Sequence, residues 1–593
     1  MLLKNRDTRY PRPTLVRGDW MTLDGEWQFA FDDENRGLRE KWFQGELPLR
    51  IRVPFCYQSG KSGIGDVTAH DCVWYRRTFA LPDACRDRRI LLHFGAVDYA
   101  CTVYVNQMVV MQHTGGHVPF SADITDWLTP GENSLCLRVT DTAALDQPRG
   151  KQCPAERIDR CWYTPTTGIW RSVWLEPVAD TYVESLTLTP SRKDQTVKMK
   201  FALRGKTENA SLSVRVSYEE ATVCETTVAC LTNGAEVVLP IEPPDYVDDV
   251  HCWSPEHPVL FSVTASLRQG GQETDRVESY FGMRDIEVRN GTVLLNGQPF
   301  YQKLVLNQGY WRDTLLTPPD GDALLNDLLT IKKMGFNGVR MHQKIEDERF
   351  YAFADAIGLA VWAEMPSSYV FTHAAMRRTI REWIDAVTSL RNHPSILVWV
   401  PLNESWGVRN ILHDPAQQQY ACALYALTKA LDPGRLVSTN DGWEQVTSDL
   451  CSIHDYFPNA ESFQRRYADL NALLARDAEG RMLYAQGYAY AGQPVILSEF
   501  GGISFGTERS GNAWGYNEHA TDRDAYLTAL ARMVQCVRRH PRMQGYCYTQ
   551  FTDVMQETNG LLDMDHQPKA DLESYRAIFC LGDEKPLSGY AKD

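Results

Sequence analysis

Val495-Ile496-Leu497-Ser498-Glu499-Phe500-Gly501-Gly502 decides how this chain is read. A β-branched apolar run that stops on an acid, then on an aromatic residue and glycines, predicts a buried strand presenting one carboxylate at its end. The stretch at 394–407 repeats the design, with Ile396-Leu397-Val398-Trp399-Val400 leading through Pro401-Leu402 to Asn403-Glu404-Ser405-Trp406. Two core strands that each end on a glutamate predict two carboxylates facing one cavity.

Around these strands, from about residue 285 onward, long helical patterns alternate with short apolar runs, as in a parallel α/β domain. Pro319-Asp320 opens a helix whose Leu324, Leu325, Leu328, Ile331 and Met334 share one face and which Gly335 can stop. A strand at 337–341 follows, then a helix at 347–357 stopped by Gly358 and a strand at 359–364. Met376, Ile380, Trp383, Ile384, Val387 and Leu390 stripe the next helix, and further strands are expected at 436–438, 450–454 and 544–551. About eight such units over roughly 300 residues predict a (β/α)8 TIM barrel at 284–593, whose chemistry belongs at the C-terminal ends of its strands.

Upstream the grammar is that of strands alone. Leu23-Asp24-Gly25-Glu26-Trp27-Gln28-Phe29-Ala30-Phe31 alternates at the strand period, and Leu91-Leu92-His93-Phe94 and Cys101-Thr102-Val103-Tyr104-Val105 follow, so 1–177 is expected to be a β-sandwich. Residues 178–283 continue with Leu212-Ser213-Val214-Arg215-Val216-Ser217-Tyr218 and a similar run at 260–267, which suits an immunoglobulin-like β-sandwich. A length of 593 residues requires several cores.

A net charge of −15 argues against nucleic acid and anionic membrane as partners. Met1-Leu2-Leu3-Lys4-Asn5-Arg6-Asp7-Thr8 has no apolar targeting core and no stretch is long enough to span a bilayer, so a cytoplasmic protein is expected. The 15 cysteines lack paired CxxC spacing, which fits a reducing compartment better than a disulfide framework or a zinc cluster. His393 and His454 form no tight ligand pattern, and no metal or cofactor is expected.

Several polar residues fall at the predicted strand ends. Arg340 and His342 close the strand at 337–341, and an arginine there would hold a nearby carboxylate ionised. In Ser452-Ile453-His454-Asp455-Tyr456-Phe457, Tyr456 could donate to a carboxylate, while His454 and Asp455 could meet sugar hydroxyls. Glu364 ends its own strand and is expected behind the site or against substrate; Trp406, Trp443 and Trp514 could stack on sugar faces. Breaking a glycosidic bond needs one carboxyl to protonate the departing oxygen and another to capture the cationic sugar carbon, and Glu404 and Glu499 suit those tasks.

These residues resemble glycoside hydrolase family 2, which holds β-galactosidases, β-glucuronidases and β-mannosidases. The resemblance runs from Leu23-Asp24-Gly25-Glu26-Trp27 through Gly168-Ile169-Trp170-Arg171-Ser172-Val173-Trp174-Leu175-Glu176 and Leu294-Leu295-Asn296-Gly297-Gln298-Pro299-Phe300 to Asn403-Glu404 and Ser498-Glu499-Phe500-Gly501. It implies a jelly-roll sugar-binding-like domain, an immunoglobulin-like sandwich and a catalytic barrel, without cofactor and often as a homo-oligomer. It further implies Glu404 as acid/base, Glu499 as nucleophile, Asn403 on the sugar 2-hydroxyl and Tyr456 beside the nucleophile.

The resemblance leaves the sugar open. Family glucuronidases read the sugar carboxylate with an Asn-x-Lys pair; Gln556-Glu557-Thr558-Asn559-Gly560-Leu561 stands there without a lysine, leaving Arg340 or Arg409 as substitutes. Where many members place a tryptophan on the eighth strand, Cys547-Tyr548-Thr549-Gln550-Phe551 puts Thr549, with Tyr548 and Gln550 as further substrate contacts. The expectation is a retaining exo-β-glycosidase acting on a carbohydrate substrate, β-galactosidase first, with β-glucuronide, β-mannoside, fucoside or arabinoside cleavage as alternatives. Such an enzyme needs Glu404 raised in pKa and Glu499 ionised. A non-catalytic carbohydrate-binding protein is the rival class, and transglycosylation a third possibility.

Overall fold

In a computed structural model the described residues are 9–580 apart from 86, 154–157, 231, 242–250, 477–479, 507–512, 518 and 521. The octapeptide on which the targeting expectation rests lies outside them. Among the described residues no helix is long and apolar enough to cross a membrane.

The first unit is a sandwich of a six-stranded and a four-stranded sheet. Leu23, Trp27, Phe29, Tyr75, Leu92, Phe94, Val103 and Leu137 fill the space between them, because the inward positions of each alternating strand are apolar. The second unit pairs a three-stranded sheet (Tyr182–Ser191, Thr196–Arg204, Gly234–Pro240) with a four-stranded one (Ala210–Tyr218, Ala221–Cys230, Phe261–Gln269, Gln272–Phe281). Arg17 clamps the two units together, pairing with Glu176 of the first and Asp275 of the second, each at 2.9 Å.

The third unit is an eight-stranded parallel barrel of Gln302–Asn307, Gly338–Met341, Ala360–Glu364, Ile396–Val400, Leu436–Val437, Cys451–His454, Val495–Gly501 and Met543–Thr549. Alternation sorts its side chains. Val339, Met341, Val361, Leu497 and Tyr546 face the surrounding helices, while Leu304, Leu306, Trp362, Ile496 and Cys547 fill the interior. Ile286, Val293 and Leu295 of a small antiparallel ribbon close the lower end.

The helices obey their sequence signals. Asp320 caps Gly321–Lys333 through Ala323 N, and Asp347 caps Glu348–Ile357, which Gly358 ends in the left-handed conformation (φ 74°). One of the expected strand–helix units is incomplete: no helix joins Leu436–Val437 to Cys451–His454. Residues 438–450 carry no apolar stripe of helical period, and they instead form the strand Asn440–Asp441, which pairs with Leu402–Asn403. Here the wall is bridged by Ser438 and Ser452 hydroxyls 3.1 Å apart and by Asp449 N donating to Val437 O at 3.0 Å.

Candidate active site

The two glutamates reach the mouth of the barrel by different local devices. Along Val495–Gly501, Leu497 and Phe500 both pack outward against the helical layer, although strict alternation would put residues three apart on opposite faces. The ladders to both neighbouring strands shift register between these residues, and this bulge turns Glu499, which would otherwise follow Leu497 outward, into the mouth. Glu404 and Ser405 follow Leu402–Asn403 with φ of 49° and 54°. Two consecutive left-handed non-glycine residues are held only where surroundings fix them, here by Glu404 N donating to Asp441 O at 2.9 Å and Ser405 N to Asn440 Oδ1 at 2.9 Å.

Carboxylate oxygens of Glu404 and Glu499 and a ring nitrogen of His454 all lie within 4.8 Å of one another. His454 Nδ1 is 2.8 Å from Glu404 Oε1, and its Nε2 is 2.8 Å from Asp441 Oδ2 and 3.4 Å from Glu499 Oε1. Burial opposes a charge on this ring, but Glu499, Asp441 and Glu404 outweigh burial and push it up to about 10. The ring is therefore held as an imidazolium that directs its N–H groups at carboxylates.

Arg340, wholly buried, organises the layer below. Its Nη1 reaches Glu499 Oε1 at 3.0 Å and Asp441 Oδ2 at 2.8 Å, Nη2 donates to Asn403 Oδ1 at 2.7 Å, and Nε donates to Glu364 Oε2 at 2.8 Å. Tyr456 donates to Glu499 Oε2 at 2.5 Å; burial and then the charge on Glu499 keep this phenol protonated. Tyr456 is itself held by a parallel stack on Tyr516, centroids 3.6 Å apart.

A segment of the first sandwich completes the wall. Arg149 N and Gly150 N donate to Ser367 O at 3.0 and 3.1 Å, and Gly150 sits at φ +59° where a Cβ would meet Gln343 O at 2.2 Å, so only glycine fits. This places Lys151 Nζ 4.8 Å over the Trp406 ring, with Trp162 stacked on Trp406 at 4.6 Å. Tyr163 of the same segment donates to Glu557 Oε2 at 2.6 Å. Burial works against the charge on Lys151, but Cys161, Glu557, Glu404 and Glu499 more than restore it.

Several sequence expectations need correction. Glu404 is not raised: burial pushes it up, yet the hydrogen bond and charge of His454, with Lys151 and Arg340, hold it below the ordinary carboxylate value. Of the two places expected for Glu364, behind the site or against substrate, it takes the first: it has no exposed surface and braces Arg340 and Gln343 N, while burial, moderated by Arg340 and reinforced by Asp441, pushes it up to about 7. Tyr548 points outward between Phe500 and Phe579, because alternation turns Cys547 inward and its neighbour out. Gln550 is fully buried between Gln308 and Asn559, and the Asp455 carboxylate pairs with Arg466. His342 is buried and kept neutral by burial and by Lys151 and Arg340; its Nδ1 lies 3.1 Å from Glu364 Oε1 but out of line for a hydrogen bond. Arg409 is exposed.

Four members of the site escaped sequence reading. Asp441 stands on a strand of two residues, too short for a period. Lys151, Tyr163 and Glu557 depend on contacts between distant parts of the chain. The run Asn440-Asp441-Gly442-Trp443-Glu444 was the one available hint, a polar cluster where a barrel helix was due.

Paired carboxylates at the C-terminal mouth of a barrel, behind two sandwiches, are the build of a glycoside hydrolase. Residues 20–177 match the sugar binding domain of glycosyl hydrolases family 2, 181–284 match a further model of glycosyl hydrolases family 2, and 286–581 match its TIM barrel domain. The chain belongs to glycosyl hydrolase family 2. A β-glucuronidase of Paenibacillus borealis is 25% identical over 527 residues, covering 83% of this chain and 84% of the relative. A β-galactosidase of Thermoanaerobacter pseudethanolicus is 28% identical over 351 residues, 56% of this chain and 44% of the relative. The apo structure of a Ruminococcus gnavus β-glucuronidase shares the fold with a TM-score of 0.77 at 19% identity, covering 97% of this chain and 100% of that one.

Proposed function

We propose that the protein is a retaining exo-β-glycosidase that releases terminal β-linked glucuronate from a carbohydrate. The spacing of Glu404 and Glu499, with oxygens within 4.8 Å, carries the stereochemical part: retaining enzymes hold their carboxyls about 5–5.5 Å apart, inverting ones about 6.5–9.5 Å. Glu499, aligned by Arg340 and Tyr456, attacks the anomeric carbon as the bond to the leaving oxygen breaks. Glu404 passes a proton to that oxygen, and His454, bonded to it at 2.8 Å, is the store from which the proton is drawn. Glu404 then takes a proton from water, which displaces Glu499 and restores the β configuration.

The glycone rests on a different support. The glucuronidase relative spans 83% of the chain and the galactosidase relative 56%, so the β-galactoside favoured by sequence alone gives way to the uronide. The test is NMR of the first product formed from phenyl β-D-glucuronide. β-Glucuronate appearing before mutarotation is expected; α-glucuronate first would overturn the retaining mechanism. A Glu499→Gln enzyme that hydrolyses undiminished would overturn the nucleophile.

A further inference from the structure

The site contains a cation that the reaction as described does not use. Lys151 is 6% exposed, and among the described residues its ammonium makes no hydrogen bond or ion pair; its one close partner is the face of Trp406. Two other buried cations of the barrel mouth are satisfied, Arg340 by Glu364, Glu499, Asn403 and Asp441 and Lys344 by Glu346 and two carbonyls. A buried charge with no counterion in contact is costly, and here only Cys161, Glu557, Glu404 and Glu499 act on it, from a distance. The segment holding Lys151 is nevertheless fixed, by Gly150 against Gln343, by Ser367, and by Tyr369 donating to Gln152 O at 3.0 Å.

Its position supplies the missing reason. Tyr163 N donates to Lys151 O at 2.9 Å, and the hydroxyl of the same tyrosine donates to Glu557 at 2.6 Å. Glu557 and Asn559 bring no positive charge to this wall, and Asn559 is spent on Glu557 at 3.2 Å and Gln550 at 2.8 Å. The positive charge absent from that wall is therefore present beside it, on a segment from another domain. Resting on the uronide reading above, we propose that Lys151 is the specificity residue that receives the carboxylate of a uronic-acid glycone, delivered into the barrel mouth by the first sandwich domain. An incoming carboxylate gives the ammonium a charge-assisted hydrogen bond. A neutral hexoside offers only a hydroxyl, which the neighbouring carboxylates already suit.

The experiment compares 4-nitrophenyl β-D-glucuronide with 4-nitrophenyl β-D-glucoside, which differ only in the carboxylate, on wild-type enzyme, Lys151→Gln and Lys151→Arg. The ratio of kcat/KM, glucuronide over glucoside, is expected to fall about 100-fold or more in Lys151→Gln, mainly through KM for the glucuronide, and to recover in part in Lys151→Arg. Calorimetric titration with D-glucuronate reads the same loss as a weaker Kd and stands in for kinetics should the Gln variant turn over too slowly. A ratio unchanged within threefold, with an unchanged glucuronate Kd, overturns the assignment of Lys151 while leaving the glycone intact. A wild-type enzyme that cleaves neutral β-glycosides and no uronide overturns both.

Discussion

Replacing His454 by glutamine removes one positive charge from between three carboxylates without removing much volume. The imidazolium sits 2.8 Å from Glu404, 2.8 Å from Asp441 and 3.4 Å from Glu499, and it titrates near 10 where an unperturbed histidine titrates near 6.5. That gap corresponds to about 5 kcal/mol of differential interaction. Because the folded value is raised, this stabilisation is fully present below the unfolded value near 6.5 and is lost as pH rises through about 10. In the variant the proton has nowhere to reside but on a carboxyl, and losing an adjacent opposite charge raises Glu404. The assay is kcat/KM against pH on phenyl β-D-glucuronide, whose leaving group needs a proton. Wild-type activity is expected to hold until the alkaline limb near 10. The variant's limb should fall from there toward acid pH, leaving it weaker at pH 9 than at its own optimum. A variant that keeps its alkaline limb near 10 would refute the idea that the Glu404–His454 pair stores the proton.

Tyr456→Phe deletes the hydrogen bond to Glu499 Oε2 at 2.5 Å; kcat is expected to drop about 10- to 100-fold with little change in KM, and steady-state kinetics decides. Gly150→Ala forces a Cβ to 2.2 Å from Gln343 O at a left-handed backbone position, so kcat/KM on the glucuronide should fall more than tenfold while far-UV circular dichroism is unchanged; wild-type kinetics would show that the segment is not docked as described. Arg17→Met leaves Asp275 buried without its counterion and Glu176 with His93 alone, at a cost of about 3–5 kcal/mol. Calorimetry should show the sandwich domains unfolding ahead of the barrel, and a single unshifted transition would count against the clamp.

The boundary between what residues announce and what they conceal runs through the site itself. Helix caps and stops such as Asp320, Asp347 and Gly358 were legible because a cap is a local bargain between one side chain and its own backbone. The barrel was legible for a related reason, since its strands are short apolar runs whose periods can be read one at a time. Glu499 stands at the mouth although the period of its own strand argues for the opposite face, and only the bulge seen between Leu497 and Phe500 resolves the conflict. A bulge is a property of three strands in register, so no single strand encodes it visibly. Tyr548 fails by the same logic in reverse, for it ends a strand at the right height on the wrong face.

Charge was harder to read than shape. Glu404 was expected to be raised because an acid must carry a proton, but the proton belongs to a pair, and its second member was read as a sugar contact. With His454 pushed up to about 10 and Glu404 held low, the pair still holds one proton at neutral pH; the assignment moves by 2.8 Å and the proton count is unchanged. This is why the site needs no desolvated, neutral glutamate at rest. Substrate binding has only to exclude water from a cluster already held by Arg340 and His454, and a developing alkoxide at the leaving oxygen is then the strongest base within reach of that stored proton.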